Sequence, residues 1–503
     1  MQIHRFAGGV IVACGLSTAV AQAFRPAVAA ADDPHRSCAQ LANLKLPDVK
    51  ITEAAPVAAA SSGAVRAPHC KVSGVIGTEI KFSLLLPDTW NQKFMMGGGG
   101  GFVGTVQNMA VSSVNAGFAT VGTDTGHEGS VTDATWALNN VERRANFGHV
   151  AVHRVAEVAK AIVRSHYGAD AKRSYFSGCS NGGRQGMMEA QRYPDDFEGI
   201  ISIAPAMDFT GIGAQFIKDI QAIFPDPKNL TTTVLPAETL KVVGAKILEA
   251  CDAKDGVKDG VMDDPRQCTF DVNSLPIPDA QKAALKKVYA PTTNKDGEIF
   301  SGQPFGGETE AAGWPLWISG GSSAAAQMNQ PSLRYGFGTQ MFKYFIFNDP
   351  SWDYARYDLS TWKKDTELTA SYLNATSPNL DAFKAKGHKL IMAHGWADAG
   401  LSALATVKYY EQVQARDANL RDYVRLFMMP GVLHCSGGAG PDNADWTAPL
   451  VDWVENGKAP ERIIASKMSE GVATRTRPLC PYPQHAVYKG GGSTDDEANF
   501  VCR

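Results

Sequence analysis

The chain has 503 residues, 44% of them hydrophobic and 20% charged, with a formal net charge of -3. That length exceeds what one hydrophobic core serves, so two domains are expected. The near-neutral balance, with no basic run or basic helix stripe, argues against a nucleic-acid partner.

The first 31 residues read as an export signal: a short basic start (His4, Arg5), an apolar run from Phe6 to Val20, then small-residue cleavage options at Ala23 or near Ala31. The run is too short to span a membrane, and no later segment reaches spanning length. The compartment expected is the periplasm or the exterior. A lipoprotein anchored through Cys14 is the lesser alternative, because the apolar run continues past that cysteine.

Next come strand-like segments, "EIKFSLLLP" (79–87), "KFMMGGGG" (93–100) and "GFATVGTDTG" (117–126). They are followed by a helix over 148–168 with Val152, Val155, Ala159 and Ile162 on one face. "KRSYFSG" (172–178) reads as a strand, "RQGMMEAQRYP" (184–194) as a helix and "GIISIAP" (199–205) as a strand. This alternation predicts an α/β fold, a parallel sheet covered by helices. From 207 to 382 the rhythm fails in favour of Gly- and Pro-rich stretches and many aromatics, which reads as an inserted lid domain. The pattern returns at "HKLIMAHGWAD" (388–398), a helix over 403–415 and "VRLFMMPGVLHC" (424–435), so the catalytic domain is expected to comprise 32–206 and 383–503.

The strand-to-helix turn holds Gly178-Cys179-Ser180-Asn181-Gly182, the G-x-S-x-G frame of a nucleophile elbow. A serine nucleophile needs a base and the base needs an orienting acid. Asp398 and His434 each follow a later strand, in the order Ser, Asp, His that an α/β-hydrolase uses. His394 is the competing base and is assigned to the loop architecture beside Asp398. Oxyanion donors are expected from the N–H of Asn181 and from the run "MMGGGGGFVG" (95–104), with Gly100 as the choice and Gly99 and Gly101 as its neighbours. That run lacks the lysine of a phosphate-binding loop.

Nine cysteines are present, and loss of Cys14 with the signal leaves eight, an even number that favours disulfides in an exported chain. Short spacings suggest Cys251 with Cys268 and Cys480 with Cys502, leaving Cys38, Cys70, Cys179 and Cys435 open. Between Cys251 and Cys268, Asp252, Asp255 and Asp259 with the carbonyls of Val257 and Val261 offer hard oxygen donors suited to calcium. No nucleophile motif adjoins them, so a structural role is expected.

With "GCSNGG", "HGWAD", "PGVLHC" and "CDAKDGVKDGVMDDPRQC" in order, the chain resembles the tannase and feruloyl esterase family from about Cys38 to Cys502. The resemblance implies an α/β-hydrolase fold with a large inserted lid and a triad of Ser180, Asp398 and His434. It implies structural calcium at Asp252, Asp255, Asp259, Val257 and Val261, with no organic cofactor. The disulfides implied are Cys38–Cys70, Cys179–Cys435, Cys251–Cys268 and Cys480–Cys502. The extra lid disulfide of some members has no cysteines here. The lid is where the family recognises its aromatic acid, making Trp314, Trp317, Arg334 and Phe337 candidates. Leu401 lies where some members carry an aromatic that contacts substrate. The activity implied is hydrolysis of small aromatic esters, feruloyl type first, with gallate or terephthalate monoesters as alternatives. A calcium-stabilised binding protein that has lost catalysis is the competing class, and the presence of all three triad residues argues against it. Nothing in the sequence defines an oligomeric state.

Overall fold

The computed structural model describes residues 35–503, so the export signal and Cys14 lie outside the described residues. Its centre is a nine-stranded sheet. In chain order the strands are β1 (Val49–Val57), β2 (His69–Ile76), β3 (Ile80–Pro87), β4 (Lys93–Gly97), β5 (Ala119–Thr123), β6 (Arg173–Cys179), β7 (Gly199–Ile203), β8 (Lys389–Gly395) and β9 (Val424–Met429). Their spatial order is β1-β2-β3-β5-β4-β6-β7-β8-β9. The first three strands and the β3–β5 pair are antiparallel, and every pair from β5 to β9 is parallel. β1 and β2 extend the sheet beyond the strands legible in the sequence.

Alternation along the strands sorts the core. Phe94, Met96, Phe176, Ile200, Leu390, Met392 and Leu426 face one layer. Met95, Tyr175, Ile201, Ile391, Ala393 and Phe427 face the other, as the two-residue period of a strand requires. The first layer is covered by helices α1 (Ala151–Tyr167), α2 (Asn181–Arg192) and α3 (Ala403–Arg416). The second is covered by α4 (Thr447–Asn456), through Leu450 and Trp453. The helix expected over 148–168 begins as a π turn at Asn146–Val150 and ends at Gly168, whose φ of 72° stops it.

Between Ile203 and Lys389 the chain adds no strand to this sheet. It forms instead helices Phe209–Ile223, Ala237–Cys251, Asp279–Tyr289, Leu333–Gln340 and Trp362–Leu373, with a hairpin at Thr292–Asn294 and Gly297–Phe300. These pack a second core around Trp314, Ile220, Leu285 and Phe342, and that core also takes in Phe102, Trp136 and Phe147 from the first part of the chain. The inserted segment is therefore seated on side chains that the loops after β4 and β5 send up to it.

Candidate active site

Ser180 stands at the end of β6 with φ 62° and ψ -122°, a conformation costly for any residue with a Cβ. Backbone bonds hold it there: its N–H donates to Ile203 O at 3.0 Å, and its carbonyl accepts from Ala206 N at 3.0 Å. The turn is tight enough that a Cβ on Gly178 would lie 2.5 Å from the carbonyl of Gly182. Asn181 opens α2, so its N–H has no acceptor within the helix and points with the helix N-terminus toward the serine.

The glycine run after β4 lies across this turn. Asn181 Nδ2 donates to Gly99 O at 3.0 Å, and Gly99 N donates to Gln185 Oε1 at 3.0 Å. Gly100, expected as the oxyanion donor, gives its N–H to Gln107 Oε1 at 2.8 Å, so that amide is already engaged. The N–H of Gly101 has no partner among the described residues, and Gly101 shares a cavity with Ser180. The sequence could not separate these neighbours, because the choice depends on Gln107 reaching back across the loop. Arg184 also escaped the sequence reading. It is fully buried and donates to Asn181 Oδ1 and to the carbonyls of Phe147 and Gly148, with no carboxylate partner among the described residues, and burial lowers it to about 9.

Asp398 and His434, expected as acid and base, lie against each other in loops that follow β8 and β9. Asp398 is fully buried after β8, and His434 Nδ1 lies 2.8 Å from its Oδ2. Asp398 Oδ1 accepts from Gly400 N at 2.7 Å and Leu401 N at 2.9 Å. Burial alone would raise this carboxyl, but His434 and His394 hold it well below the ordinary carboxylate range. His394 contacts Asp398 Oδ2 and Leu401 O through Nε2, both acceptors, which assigns the proton to that nitrogen. Its Nδ1 meets Thr406 Oγ1, so it braces the acid, in line with the loop role expected for it.

Cys179 and Cys435 form a disulfide with Cα atoms 6.0 Å apart, joining the residue before the serine to the residue after the histidine. Cys435 itself has φ 67°. The described hydrogen bonds include none between Ser180 and His434; such contacts commonly tighten only when substrate is bound. The other three disulfides are Cys38–Cys70, Cys251–Cys268 and Cys480–Cys502, which completes the pairing implied by the resemblance.

Two of the five expected substrate contacts lie elsewhere. Arg334 is fully buried behind the acid loop. It pairs with Asp219, donates to Ala399 O at 2.8 Å and to Gln303 Oε1 at 2.6 Å, and Gln303 in turn donates to Asp398 O at 2.8 Å. Trp314 is fully buried against Tyr289 in the second core. Trp317, Phe337 and Leu401 do line a cavity with Ser180, as do Phe102, Phe209 and Met341. The Trp317 ring meets the His434 ring edge-on at 4.8 Å and stacks on Phe337 at 5.9 Å. Phe102 was missed because it lies in a glycine run read only for its backbone. The cavity measures about 40 Å³. A larger groove of about 400 Å³ shares Ile212 and Leu401 with it as a common wall and carries Asp208, Glu298 and Lys408.

The aspartate loop sits away from the serine cavity, against the C-terminal hairpin. Asp252 Oδ1 accepts from Gly260 N at 2.9 Å, Asp255 Oδ2 from Asp263 N at 3.0 Å, and Asp259 Oδ2 from Arg477 at 2.8 Å. Three observations fit an oxygen-bound cation. The carbonyls of Val257 and Val261 accept no hydrogen bond among the described residues, Asp263 Oδ2 is buried without a partner, and Gly256 and Gly260 take left-handed φ of 90° and 79°. Asp259 is the least free of the five expected donors, since Arg475 and Arg477 both pair with it.

A sheet of this order, with a serine on the strained turn after a central parallel strand, defines an α/β-hydrolase. The tannase and feruloyl esterase family model matches residues 63–503, and the chain belongs to that family. It is 34% identical to the mono(2-hydroxyethyl) terephthalate hydrolase of Piscinibacter sakaiensis, over 90% of this chain and 87% of that protein. It is 30% identical to feruloyl esterase B of Aspergillus niger, over 86% of each chain. The crystal structure of feruloyl esterase B from Aspergillus oryzae superposes with a TM-score of 0.83 at 24% identity, covering 93% of this chain and 99% of that one, a likeness of fold. The protein is a carboxylic ester hydrolase.

Proposed function

We propose that the protein is an exported serine esterase that cleaves esters of aromatic acids, hydroxycinnamates first, through Ser180, His434 and Asp398. The observation that carries this reading is the shared cavity, where Ser180 faces the rings of Phe102, Trp317 and Phe337. At about 40 Å³ the cavity is smaller than the roughly 150 Å³ that holds a benzene ring, so an aryl acid enters as the lining side chains give way.

His434, held by Asp398 with its proton on Nδ1, takes the Ser180 proton on Nε2 as Oγ attacks the ester carbonyl. The N–H groups of Asn181 and Gly101 receive the oxyanion. Collapse breaks the bond to the alkoxide, His434 returns its proton to the leaving alcohol, and an acyl-enzyme remains. Water, deprotonated by the same histidine, then attacks the acyl carbonyl; the bond from the acyl carbon to Oγ breaks, His434 gives that proton back to Ser180 Oγ, and the acid leaves. Asp398 stays ionised throughout, stabilising the imidazolium.

Calcium would be held by Asp252, Asp255, Asp259 and the carbonyls of Val257 and Val261, and when bound it supplies positive charge to a carboxylate-rich loop. Four disulfides support an oxidising compartment, and no helix among the described residues is long and apolar enough to cross a membrane. A panel of methyl ferulate, methyl gallate and a terephthalate monoester tests the substrate class. The reading expects the highest kcat/KM on methyl ferulate and loss of all turnover in Ser180→Ala. A strong preference for either other ester would replace the acid named here.

A further inference from the structure

Away from the serine cavity, α1, the end of α2 and the turn before β7 bring three metal-type side chains together. Ligand atoms of His153, Glu189 and Asp196 all lie within 4.8 Å of one another, the one such group among the described residues. Glu189 is 1% exposed, and among the described residues neither of its carboxylate oxygens meets a donor; its side-chain neighbour is the Asp196 carboxylate, to which it can bond only through a shared proton. A carboxylate so buried is costly unless a cation or proton answers it. Asp196 is also buried, and its Oδ2 lies 2.6 Å from His153 Nδ1. His153 closes the cluster at the surface with its side chain 25% exposed, its ring stacked on Tyr193 at 4.0 Å. Its other nitrogen, Nε2, faces Glu157 Oε1 at 3.8 Å. Lys160 donates to the carbonyl of Asp196 rather than to either carboxylate, and its charge acts on Glu189 from there.

We propose that His153, Glu189 and Asp196 form a site for a divalent transition-metal cation of the zinc type, which clamps α2, the helix that follows Ser180, to α1 and to the turn before β7. One imidazole and two carboxylates suit zinc better than calcium or magnesium. Glu157 stands where a metal-bound histidine's second nitrogen finds its outer carboxylate, and the exposed rim leaves a fourth position to water. Zinc bonds of about 2.0–2.2 Å require His153 Nδ1 and Asp196 Oδ2 to part by roughly 0.5–1 Å, which a rim histidine can supply by rotating. The rival way to satisfy Glu189 is a proton shared with Asp196, favoured by burial and by the Asp196 charge, which push the Glu189 carboxyl well above its ordinary range.

The test uses tag-free full chain, stripped of metal and then kept in calcium so that the aspartate loop is not the probe. Zinc content after dialysis and the visible spectrum with cobalt(II) are measured for wild type, His153→Ala, Glu189→Gln and, as control, Asp255→Asn. The site predicts about one zinc retained per wild-type chain and a four-coordinate cobalt spectrum. Both persist in Asp255→Asn and disappear in His153→Ala and in Glu189→Gln, and zinc raises the Tm of wild type but not of those two variants. Retention of zinc by both variants overturns the proposal. So does a wild-type Tm indifferent to zinc with no metal retained, the result a shared proton would give.

Discussion

The serine turn and the acid loop lie side by side yet are held by different means. The turn is built from its own neighbourhood: strand β6, helix α2, glycines that permit backbone contact, the carbonyl of Ile203 at the end of β7 and the N–H of Ala206 just beyond it. The Asp398 loop is braced from a distance, by Gln303 and Arg334 of the inserted segment and by Asp219 behind them. The inserted segment thus does more than roof the cavity, since it holds the backbone of the loop that carries Asp398, whose carboxylate is bound by the local groups Gly400 N, Leu401 N and His394. The disulfide between Cys179 and Cys435 is where the locally built part is tied to the loop carrying His434.

The largest expected effect comes from breaking the acid itself. Asp398→Asn should lower kcat about 10⁴-fold by allowing the wrong His434 tautomer, with the secondary-structure circular dichroism unchanged. Next is the covalent tie: Cys179→Ser with Cys435→Ser opens a closure of 256 residues, worth on the order of 5 kcal/mol in chain-entropy terms, read by denaturant midpoint. Arg334→Met leaves the buried Asp219 with Lys218, at 3.3 Å, as its remaining ion pair among the described residues and should cost about 3 kcal/mol, with kcat falling as the Asp398 loop loosens. Adding Asp219→Asn should return part of the stability but not the rate, which separates charge pairing from bracing.

His127 gives a pH-dependent contrast on the inserted segment's seat. It is buried, stacked on Trp136 at 3.6 Å, and burial lowers it from 6.5 to about 4. Its neutral form is the folded one, so its contribution is present in full above pH 6.5 and is lost as the pH falls through about 4. Unfolding curves should show that loss as on the order of 2–3 kcal/mol, and His127→Gln should flatten it. The smallest effect is at the wall between the two cavities. Leu401→Ala joins the serine cavity to the larger groove and should lower KM several-fold for esters with bulkier groups, leaving methyl ferulate little changed.

The same contrast explains what could be read in advance. Strands β3 to β9, and the placement of Ser180, Asp398 and His434 in the turns after β6, β8 and β9, obey local rules of periodicity and turn chemistry, so those positions were legible, although β1 and β2 were not. The helices of the inserted segment were not assigned, because their aromatics serve a core assembled from distant pieces, with Phe102, Trp136 and Phe147 arriving from the first part of the chain. Arg334 was expected in the substrate cavity and instead pairs with Asp219, a partner 115 positions away that no local pattern announces. The Gly100 amide is engaged for a similar reason: Gln107, seven residues on, folds back to accept from it. Sequence marks where strain must be tolerated, while tertiary partners decide which of two neighbouring groups is left free.

The central claim, that Ser180 is the nucleophile of an esterase oriented by His434 and Asp398, is tested most directly by labelling with a fluorophosphonate and mapping the adduct by mass spectrometry. The account predicts one adduct per chain on Ser180, formed quickly in wild type, slowly in Asp398→Asn and not at all in Ser180→Ala. An adduct on any other residue, or equal labelling of wild type and Ser180→Ala, would contradict it.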